Sequence, residues 1–318
     1  DGRVFQLSAD GRYLLYTRNM SATEIGRDVF NNLWVSSTVQ STPELVNLAA
    51  ENVLWAAWSP TAETSTVAYS TGEPRGTAPG WQARNDLYLV SLDMEDGVAE
   101  PRTTVLEPSA GGIYGWYGTK FAWSPDGVHL AFAQADGVGL IDISDPGLVR
   151  RSSVTAFPPY KTYSDWVWIP DVSWSSDGRF IYTVVHGEPS GLEMAEDSPV
   201  FDMAALAADG SFQAVLVSRV GMWSYPVVSA HDGPGFNVAY LQAVEPLESI
   251  NSSYQLVLMD RDGSNAAVMF PQDGEPSLAP QTVAWSPNGT HIALTADSNL
   301  WVLEIGKGLA QQLTGDGQ

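Results

Sequence analysis

Aromatic side chains that could bind a ligand are concentrated in four short segments. These segments are Leu54-Trp55, Tyr114-Gly115-Trp116-Tyr117, Trp166-Val167-Trp168 and Trp223-Ser224-Tyr225. Indole and phenol rings stack on apolar or planar ligand faces, and their polar edges donate hydrogen bonds. The chemistry that these residues predict is recognition, to which Trp81, Arg75 and Arg84 are added from a long loop predicted between Ser70 and Asp86.

Nucleophilic catalysis has little support in the sequence. There is no Gly-x-Ser-x-Gly elbow, no cysteine, and only 4 histidines, so no recognisable motif supplies a nucleophile with its base. His129 and His291 occupy a position that Tyr13 and Phe180 hold in other copies of a repeated motif, which predicts a structural role. His186 falls in a predicted loop, on the side of the fold where we expect a ligand to bind. A solvated side chain is expected there.

Metal and cofactor chemistry is not indicated either. No His-x-x-x-His or paired-carboxylate motif occurs, and Asp260-Arg261-Asp262-Gly263 is two carboxylates short of a calcium loop. We therefore expect no cofactor and no metal site. Two carboxylates from different repeats could still form a glycosidase-type pair without leaving a sequence signature, so a hydrolase or lyase remains an alternative.

The elements that position the aromatic residues are set by a motif recurring at intervals of about fifty residues. Its serines are Ser8, Ser59, Ser124, Ser175, Ser229 and Ser286. A typical copy passes from alternating apolar residues through Asp-Gly or Asn-Gly into a β-branched and aromatic run, which predicts a hairpin with a turn at positive φ. A third and a fourth strand follow. Six such repeats predict an all-β fold, a six-bladed β-propeller with four antiparallel strands per blade.

The length of the chain fits one domain. Six blades account for all 318 residues, so we expect a single domain over 1–318. The expected blades cover approximately 3–51, 52–110, 111–160, 161–220, 221–276 and 277–318.

The repeat resembles that of TolB-type propellers. Trp123-Ser124-Pro125-Asp126-Gly127, followed by Leu130-Ala131-Phe132, carries the resemblance, as does the later strand end at Leu258-Met259-Asp260-Arg261-Asp262-Gly263. Blade two departs from the pattern with Thr61-Ala62-Glu63-Thr64, and blade five lacks the Trp and the Pro. The resemblance implies a protein-binding scaffold at the cell envelope.

The charge balance limits the partners. The chain has 15 Lys plus Arg against 37 Asp plus Glu, a net charge of -22, which repels phosphate backbones and anionic membrane surfaces. We expect no nucleic-acid partner. No run of about 20 apolar residues is present, so direct membrane insertion is not expected.

These observations favour a non-enzymatic propeller that binds a protein or peptide segment, with a glycan as the other candidate. The binding face is expected to lie around the central channel and to use Trp55, Trp81, Tyr114, Trp116, Tyr117, Trp166, Trp168, Trp223, Tyr225, Arg75 and Arg84. The expected protein is a periplasmic or extracellular monomer, with any tether outside this chain. The alternative function is that of an accessory propeller in a prolyl-oligopeptidase-like enzyme whose catalytic domain lies outside this chain.

Packing between neighbouring blades is the competing interpretation for each of these aromatic residues. Large flat side chains fill the gaps between sheets, and a buried indole N–H finds a local acceptor. The flanking glycines favour exposure for Trp116 and Tyr117.

Overall fold

The computed structural model describes residues 3–18, 32–39, 45–61, 65–77, 80–93, 98–108, 111–145, 148–164, 166–189, 191–229 and 235–315. Its strands form six sheets, in which strands that follow one another along the chain generally pair. The predicted all-β six-bladed propeller, with four antiparallel strands per blade, is confirmed.

The first three sheets come from the first half of the chain. The first sheet contains β1 (Val4–Leu7), β2 (Tyr13–Arg18), β3 (Asn32–Ser37) and β4 (Leu45–Asn47). The second contains β5 (Val53–Trp58), β6 (Thr66–Pro74), β7 (Trp81–Ala83), β8 (Leu87–Asp93), β9 (Val98–Ala99) and β10 (Thr103–Leu106). The third contains β11 (Lys120–Trp123), β12 (His129–Gln134), β13 (Gly137–Asp142) and β14 (Arg150–Ala156).

The other three sheets follow the same order. The fourth contains β15 (Val172–Trp174), β16 (Phe180–His186), β17 (Phe201–Ala207) and β18 (Gln213–Val217). The fifth contains β19 (Val227–Val228), β20 (Asn237–Ala243), β21 (Tyr254–Asp260) and β22 (Ala267–Phe270). The sixth contains β23 (Ala284–Trp285), β24 (His291–Ala296), β25 (Asn299–Glu304) and β26 (Leu309–Gln312).

Helical structure in the described residues is limited to single 3-10 turns. They are Gly115–Tyr117, Ala195–Asp197, Pro246–Glu248 and Ile305–Lys307. None of these turns has the length and apolar character that a membrane-crossing helix requires.

The chain forms two compact units. The first covers residues 1–134, 140–152 and 162–167, and the second covers 135–139, 153–161 and 168–318. In the first unit, Leu15 and Tyr69 are fully buried in a core shared by the first two sheets. In the second unit, Tyr254 and Ile292 are fully buried in a core shared by the fifth and sixth sheets. Burial of each such side chain stabilises the fold by about 1.5–3 kcal/mol. The expectation of one domain stays a prediction.

The repeated serine closes the first hairpin of the first, third, fourth and sixth blades. Its hydroxyl donates to the acidic or amide side chain two residues later and accepts the N–H of the first residue of the next strand. In the fourth sheet, Ser175 Oγ lies 2.6 Å from Asp177 Oδ1 and 2.9 Å from the nitrogen of Phe180. Gly178 then takes a φ of 69°, which a glycine adopts without strain.

The same geometry recurs in the other blades that keep the motif. The glycine φ angles of the four Asp-Gly or Asn-Gly turns are 71°, 70°, 69° and 68° at Gly11, Gly127, Gly178 and Gly289. In the first blade, the hydroxyl of Ser8 is the main reason why the pKa of Asp10 is lowered to about 2. The motif residues therefore build turns, as the resemblance implies.

The two blades that depart from the motif keep parts of this network. In blade two, Thr61 stands in for the aspartate, with its Oγ1 3.0 Å from Ser59 Oγ. In blade five, the nitrogen of Asn237 still donates to Ser229 Oγ at 3.0 Å. The remaining turn residues of both blades, 62–64 and 230–234, lie outside the described residues.

Two of the motif tryptophans link their inner strand to the inner strand of the preceding blade. Trp123 Nε1 donates to the carbonyl oxygen of Ala57 in β5 at 3.4 Å. Trp285 Nε1 donates to that of Val227 in β19 at 3.0 Å. These two indoles therefore contribute to the packing between blades.

The buried serine hydroxyl gives a test of the turn. We expect Ser175→Ala to lower the free energy of unfolding by about 1 kcal/mol, because it leaves the partly buried N–H of Phe180 without its acceptor. Urea unfolding measures the loss. Ser264→Ala is the matched control, since that exposed hydroxyl donates to Asp262; an equal loss in both variants would contradict the role of Ser175.

Candidate functional site

The long loop predicted between Ser70 and Asp86 is largely a β-hairpin, so the loop prediction is wrong for these residues. Strand β6 pairs with β8 over Thr66–Tyr69 and continues beyond this pairing, where Gly72–Pro74 pairs with β7. The hairpin is closed by Gly80, whose φ is 93° and whose carbonyl oxygen accepts from the nitrogen of Arg75 at 2.9 Å. The sequence suggested a loop because Pro74, Gly76 and Gly80 are turn signals.

A buried carboxylate fixes the base of this hairpin. Asp86 is fully buried and accepts a hydrogen bond from the nitrogen of Thr71 at 2.7 Å and another from the Thr71 hydroxyl. The nitrogen of Arg84 donates to the carbonyl oxygen of Thr71 at 3.0 Å. These three hydrogen bonds hold the hairpin where it leaves the blade.

A second set of hydrogen bonds joins the hairpin to the segment before β11. Asn85, with a φ of 55°, donates from Nδ2 to the carbonyl oxygen of Gly115 at 2.5 Å and accepts from Thr119 Oγ1 at 2.9 Å. Gly111 packs so closely on the Asn85 amide that a Cβ would lie 2.3 Å from it. The 3-10 turn that contains Trp116 is thereby held against the hairpin.

The hairpin and this segment enclose a cleft of about 550 Å³ in the first unit. Its lining residues are Glu73, Gln82, Ala83, Arg84, Asn85, Pro108, Gly111, Gly112, Tyr114, Gly115 and Trp116. Trp116 is 58% exposed and Tyr114 is 41% exposed. The cleft therefore presents two solvent-facing aromatic rings on a backbone fixed by side-chain hydrogen bonds.

The charges at the cleft are two arginines around one glutamate. Arg75 Nη2 lies 2.5 Å from Glu73 Oε1, and Arg84 Nε lies 3.8 Å from Glu73 Oε2. All three side chains are between about a third and a half exposed. The cleft thus combines aromatic surface with cationic groups.

The sequence-predicted residues of the first unit have different environments. Tyr114, Trp116 and Arg84 line the cleft, and Arg75 joins them through Glu73. Tyr117 lies edge-on to Trp116, with ring centroids 5.7 Å apart. Tyr117 is half-buried and not among the lining residues, and the same holds for Trp55, Trp81 and Trp166.

Trp55 has a packing role in the first unit. Its ring lies 5.4 Å from that of Phe121, within the core between the second and third sheets. Trp81 begins strand β7, and the carbonyl oxygen of Trp166 accepts from the hydroxyl of Thr162 at 2.5 Å.

The predicted residues of the second unit are packed against its core. Trp168 is 1% exposed, its ring lies 4.8 Å from that of Phe201, and its Nε1 donates to the carbonyl oxygen of Met222 at 2.9 Å. Trp223 and Tyr225 stack on each other at 6.2 Å and are half-buried against the core. Burial raises the pKa of Tyr225 well above its usual range. Trp168 has almost no surface for a ligand to touch.

His186 corrects the expectation of a solvated loop histidine. It ends strand β16 and is 3% exposed. Its Nδ1 lies 2.7 Å from the carbonyl oxygen of Pro158, and its Nε2 lies 2.8 Å from that of Ser198. Buried polar groups require such partners, so His186 is part of the packing.

Sequence reasoning missed Asn85 and Asp86, which place the cleft residues. The signal available was the Asn-Asp pair directly before a strand, because asparagine is one of the few residues tolerated at positive φ. Their long-range partners, Thr71 and Gly115, could not be identified from the sequence. In the described ranges, no three His, Asp or Glu side chains group as metal ligands would.

Comparison with known proteins agrees with the fold. TolB from Acinetobacter baumannii is 15% identical, with a TM-score of 0.55 over 96% of this chain and 64% of that one. The putative TolB from Agrobacterium tumefaciens is 17% identical, with a TM-score of 0.51 over 91% and 87%. The TolB-type resemblance is therefore confirmed for the propeller fold.

Peptidase propellers are also similar. A prolyl endopeptidase structure is 10% identical, with a TM-score of 0.59, and the match covers 98% of this chain but only 42% of that one. The family model of the dipeptidyl peptidase IV N-terminal region matches residues 247–318. No curated protein sequence matches the chain. The chain spans about two thirds of the length of the Acinetobacter TolB and less than half of the peptidase.

Proposed function

We propose that this protein is a non-enzymatic binding propeller and that the cleft beside Trp116 takes a peptide or protein segment. The observation that carries the proposal is the pair of exposed rings, Trp116 and Tyr114, held beside Arg84 in a cleft of about 550 Å³. Ligand sites usually have volumes of about 300–1,000 Å³ and few polar groups. The location that goes with this function, the cell envelope or the exterior, follows the TolB-type resemblance.

The rigidity of the cleft supports binding. An exposed tryptophan on a mobile segment would lose conformational freedom when a ligand stacks on it, which weakens affinity. Here, the turn that contains Trp116 is tied to Asn85 through the carbonyl oxygen of Gly115. Because the rings are already placed, a ligand gains most of its contact energy without ordering the site.

A peptide is favoured over a glycan by the charges. Arg75, Glu73 and Arg84 form an ordered series of charged groups next to the rings, which suits a chain with polar ends and apolar side chains. Stacking on Trp116 alone would also suit a sugar ring. A glycan is therefore included as a second ligand class in the binding experiment. We also propose that the protein is a monomer.

Substitution of the exposed indole tests the proposal. We expect Trp116→Ala to weaken binding of acetylated tetrapeptide pools at least about 10-fold, because a stacked aromatic contact contributes about 1.5 kcal/mol. Isothermal titration calorimetry measures affinity, with soluble cell-wall glycan fragments as the second probe. Tyr163→Ala, which removes a 73% exposed ring outside the cleft, should leave binding unchanged. Binding of neither probe, or of glycan alone, would refute the peptide proposal.

A second candidate is the accessory propeller of a prolyl-oligopeptidase-like enzyme. The match of residues 247–318 to the dipeptidyl peptidase IV N-terminal region favours it. The mass and sequence of the natural protein decide between the two. An additional α/β-hydrolase domain with a Gly-x-Ser-x-Gly elbow would support the peptidase role, and a protein without one would rule it out.

A further inference from the structure

We infer that the ligand of the cleft contains a carboxylate and that Arg84 is the group that binds it. The inference rests on the proposed peptide-binding function and specifies the ligand chemistry at the same site. Arg84 lines the cleft together with Trp116. A guanidinium with free donors beside an aromatic ring suits a carboxylate that neighbours an apolar side chain.

The local charge supports this assignment. Glu73 faces two guanidinium groups, with one oxygen 2.5 Å from Arg75 and the other 3.8 Å from Arg84. These three side chains sum to one positive charge, in a chain whose total is -22. A locally positive site on an acidic protein attracts an anionic group more strongly than the rest of the surface does.

The guanidinium of Arg84 has donors available. Its contact with Glu73, at 3.8 Å, exceeds hydrogen-bond distance, and its side chain is 47% exposed. It donates to no other side chain or carbonyl oxygen within the described ranges. A guanidinium has five N–H donors and binds a carboxylate through two of them at once. Arg75, by contrast, already has a close carboxylate partner.

A single carboxylate fits better than a phosphate. The long-range field of the chain is negative, and its repulsion increases with the charge of the ligand. A phosphate has nearly two negative charges at neutral pH, whereas a carboxylate has one. Gln82, which also lines the cleft, offers an amide that can pair with a peptide group next to the carboxylate.

The experiment compares peptide pools that differ only in one charge. Acetylated tetrapeptide pools ending in a free carboxylate or in a carboxamide are titrated into the protein. A second pair, amidated at the end, has Asp or Asn at an internal position. We expect one carboxylate pool to bind about 10-fold more tightly than its neutral partner. The pair that shows the difference identifies a terminal or a side-chain carboxylate.

Variants separate this inference from the proposed function. Arg84→Gln should abolish the preference for the carboxylate, so that the charged and the neutral pool bind the variant with equal affinity. Arg12→Gln removes an exposed arginine paired with Asp10 in the first sheet and should keep the preference. Equal binding of charged and neutral pools, or a preference that survives Arg84→Gln, would overturn the carboxylate inference while peptide binding stands. Binding of no pool would overturn both.

Discussion

Replacing Trp168 by alanine is expected to lower the free energy of unfolding by about 3–5 kcal/mol, the largest single-residue effect that we predict. The indole is almost completely buried against Phe157 and Phe201. Its loss leaves a cavity and removes the donor to the carbonyl oxygen of Met222. Urea unfolding, followed by the remaining tryptophan fluorescence, measures the change.

Two variants serve as controls for Trp168. Trp168→Phe keeps most of the ring volume and loses the N–H, so we expect a loss of about 1–2 kcal/mol. Trp116→Ala removes an exposed ring and should change stability by less than about 0.5 kcal/mol. A Trp168→Ala protein with nearly unchanged stability but weaker ligand binding would contradict the packing role and return Trp168 to the binding face.

Replacing Asn85 by alanine is expected to lower the free energy of unfolding by about 2–3 kcal/mol and to weaken ligand binding about 10-fold. The variant leaves the carbonyl oxygen of Gly115 and the hydroxyl of Thr119 without their partner. It also places alanine at a φ of 55°, which costs about 1 kcal/mol. The turn with Trp116 then loses its attachment to the hairpin. Urea unfolding and calorimetric titration of the peptide pools measure both effects.

Asn265 provides the matched control for Asn85. It has a φ of 53° and an exposed hydrogen bond to Asp260 in the fifth sheet. Asn265→Ala should cost about 1 kcal/mol through the backbone and leave ligand affinity unchanged. If Asn85→Ala destabilises the protein no more than this control, or if it binds ligand normally, the proposed pinning of the cleft is wrong.

Most of the fold could be predicted from the sequence because the repeat encodes its own hydrogen bonds. The serine, the aspartate two residues later and the glycine after it determine a turn by local contacts alone. Ser175, Asp177 and Gly178 show this geometry, and it is repeated in three other blades. Where the motif is altered, as at Thr61, a hydroxyl replaces the carboxylate.

The site was only partly predictable, because burial of an aromatic ring depends on residues distant in sequence. Trp116 and Trp168 precede their repeat motifs in similar segments, yet one is 58% and the other 1% exposed. Phe201 and Met222, which cover Trp168, lie more than thirty residues away. Flanking glycines favoured exposure of both Trp116 and Tyr117, and of the two only Trp116 is exposed, whereas Tyr117 is half-buried.

Long-range partners also explain the two expectations that the structure corrects. The sequence pattern placed His186 in a loop, but its ring is buried, with its two nitrogens next to the carbonyl oxygens of Pro158 and Ser198. The hairpin after Ser70 was hidden by proline and glycine, because their turn signals outweigh a short strand such as β7. Both cases depend on pairings that no local pattern encodes.

Strand β6 has two parts with different pairing partners, and the boundary between them lies near Thr71. Residues Thr66–Tyr69 pair with β8 inside the blade, whereas Gly72–Pro74 pairs with β7. Substitutions in the outer part can therefore alter what the cleft recognises without unpairing the inner part. The segment between Thr71 and Asp86 is a natural unit of exchange: evolution could diversify it independently of the scaffold, and an engineer could graft a foreign hairpin there while retaining those two residues as its anchor.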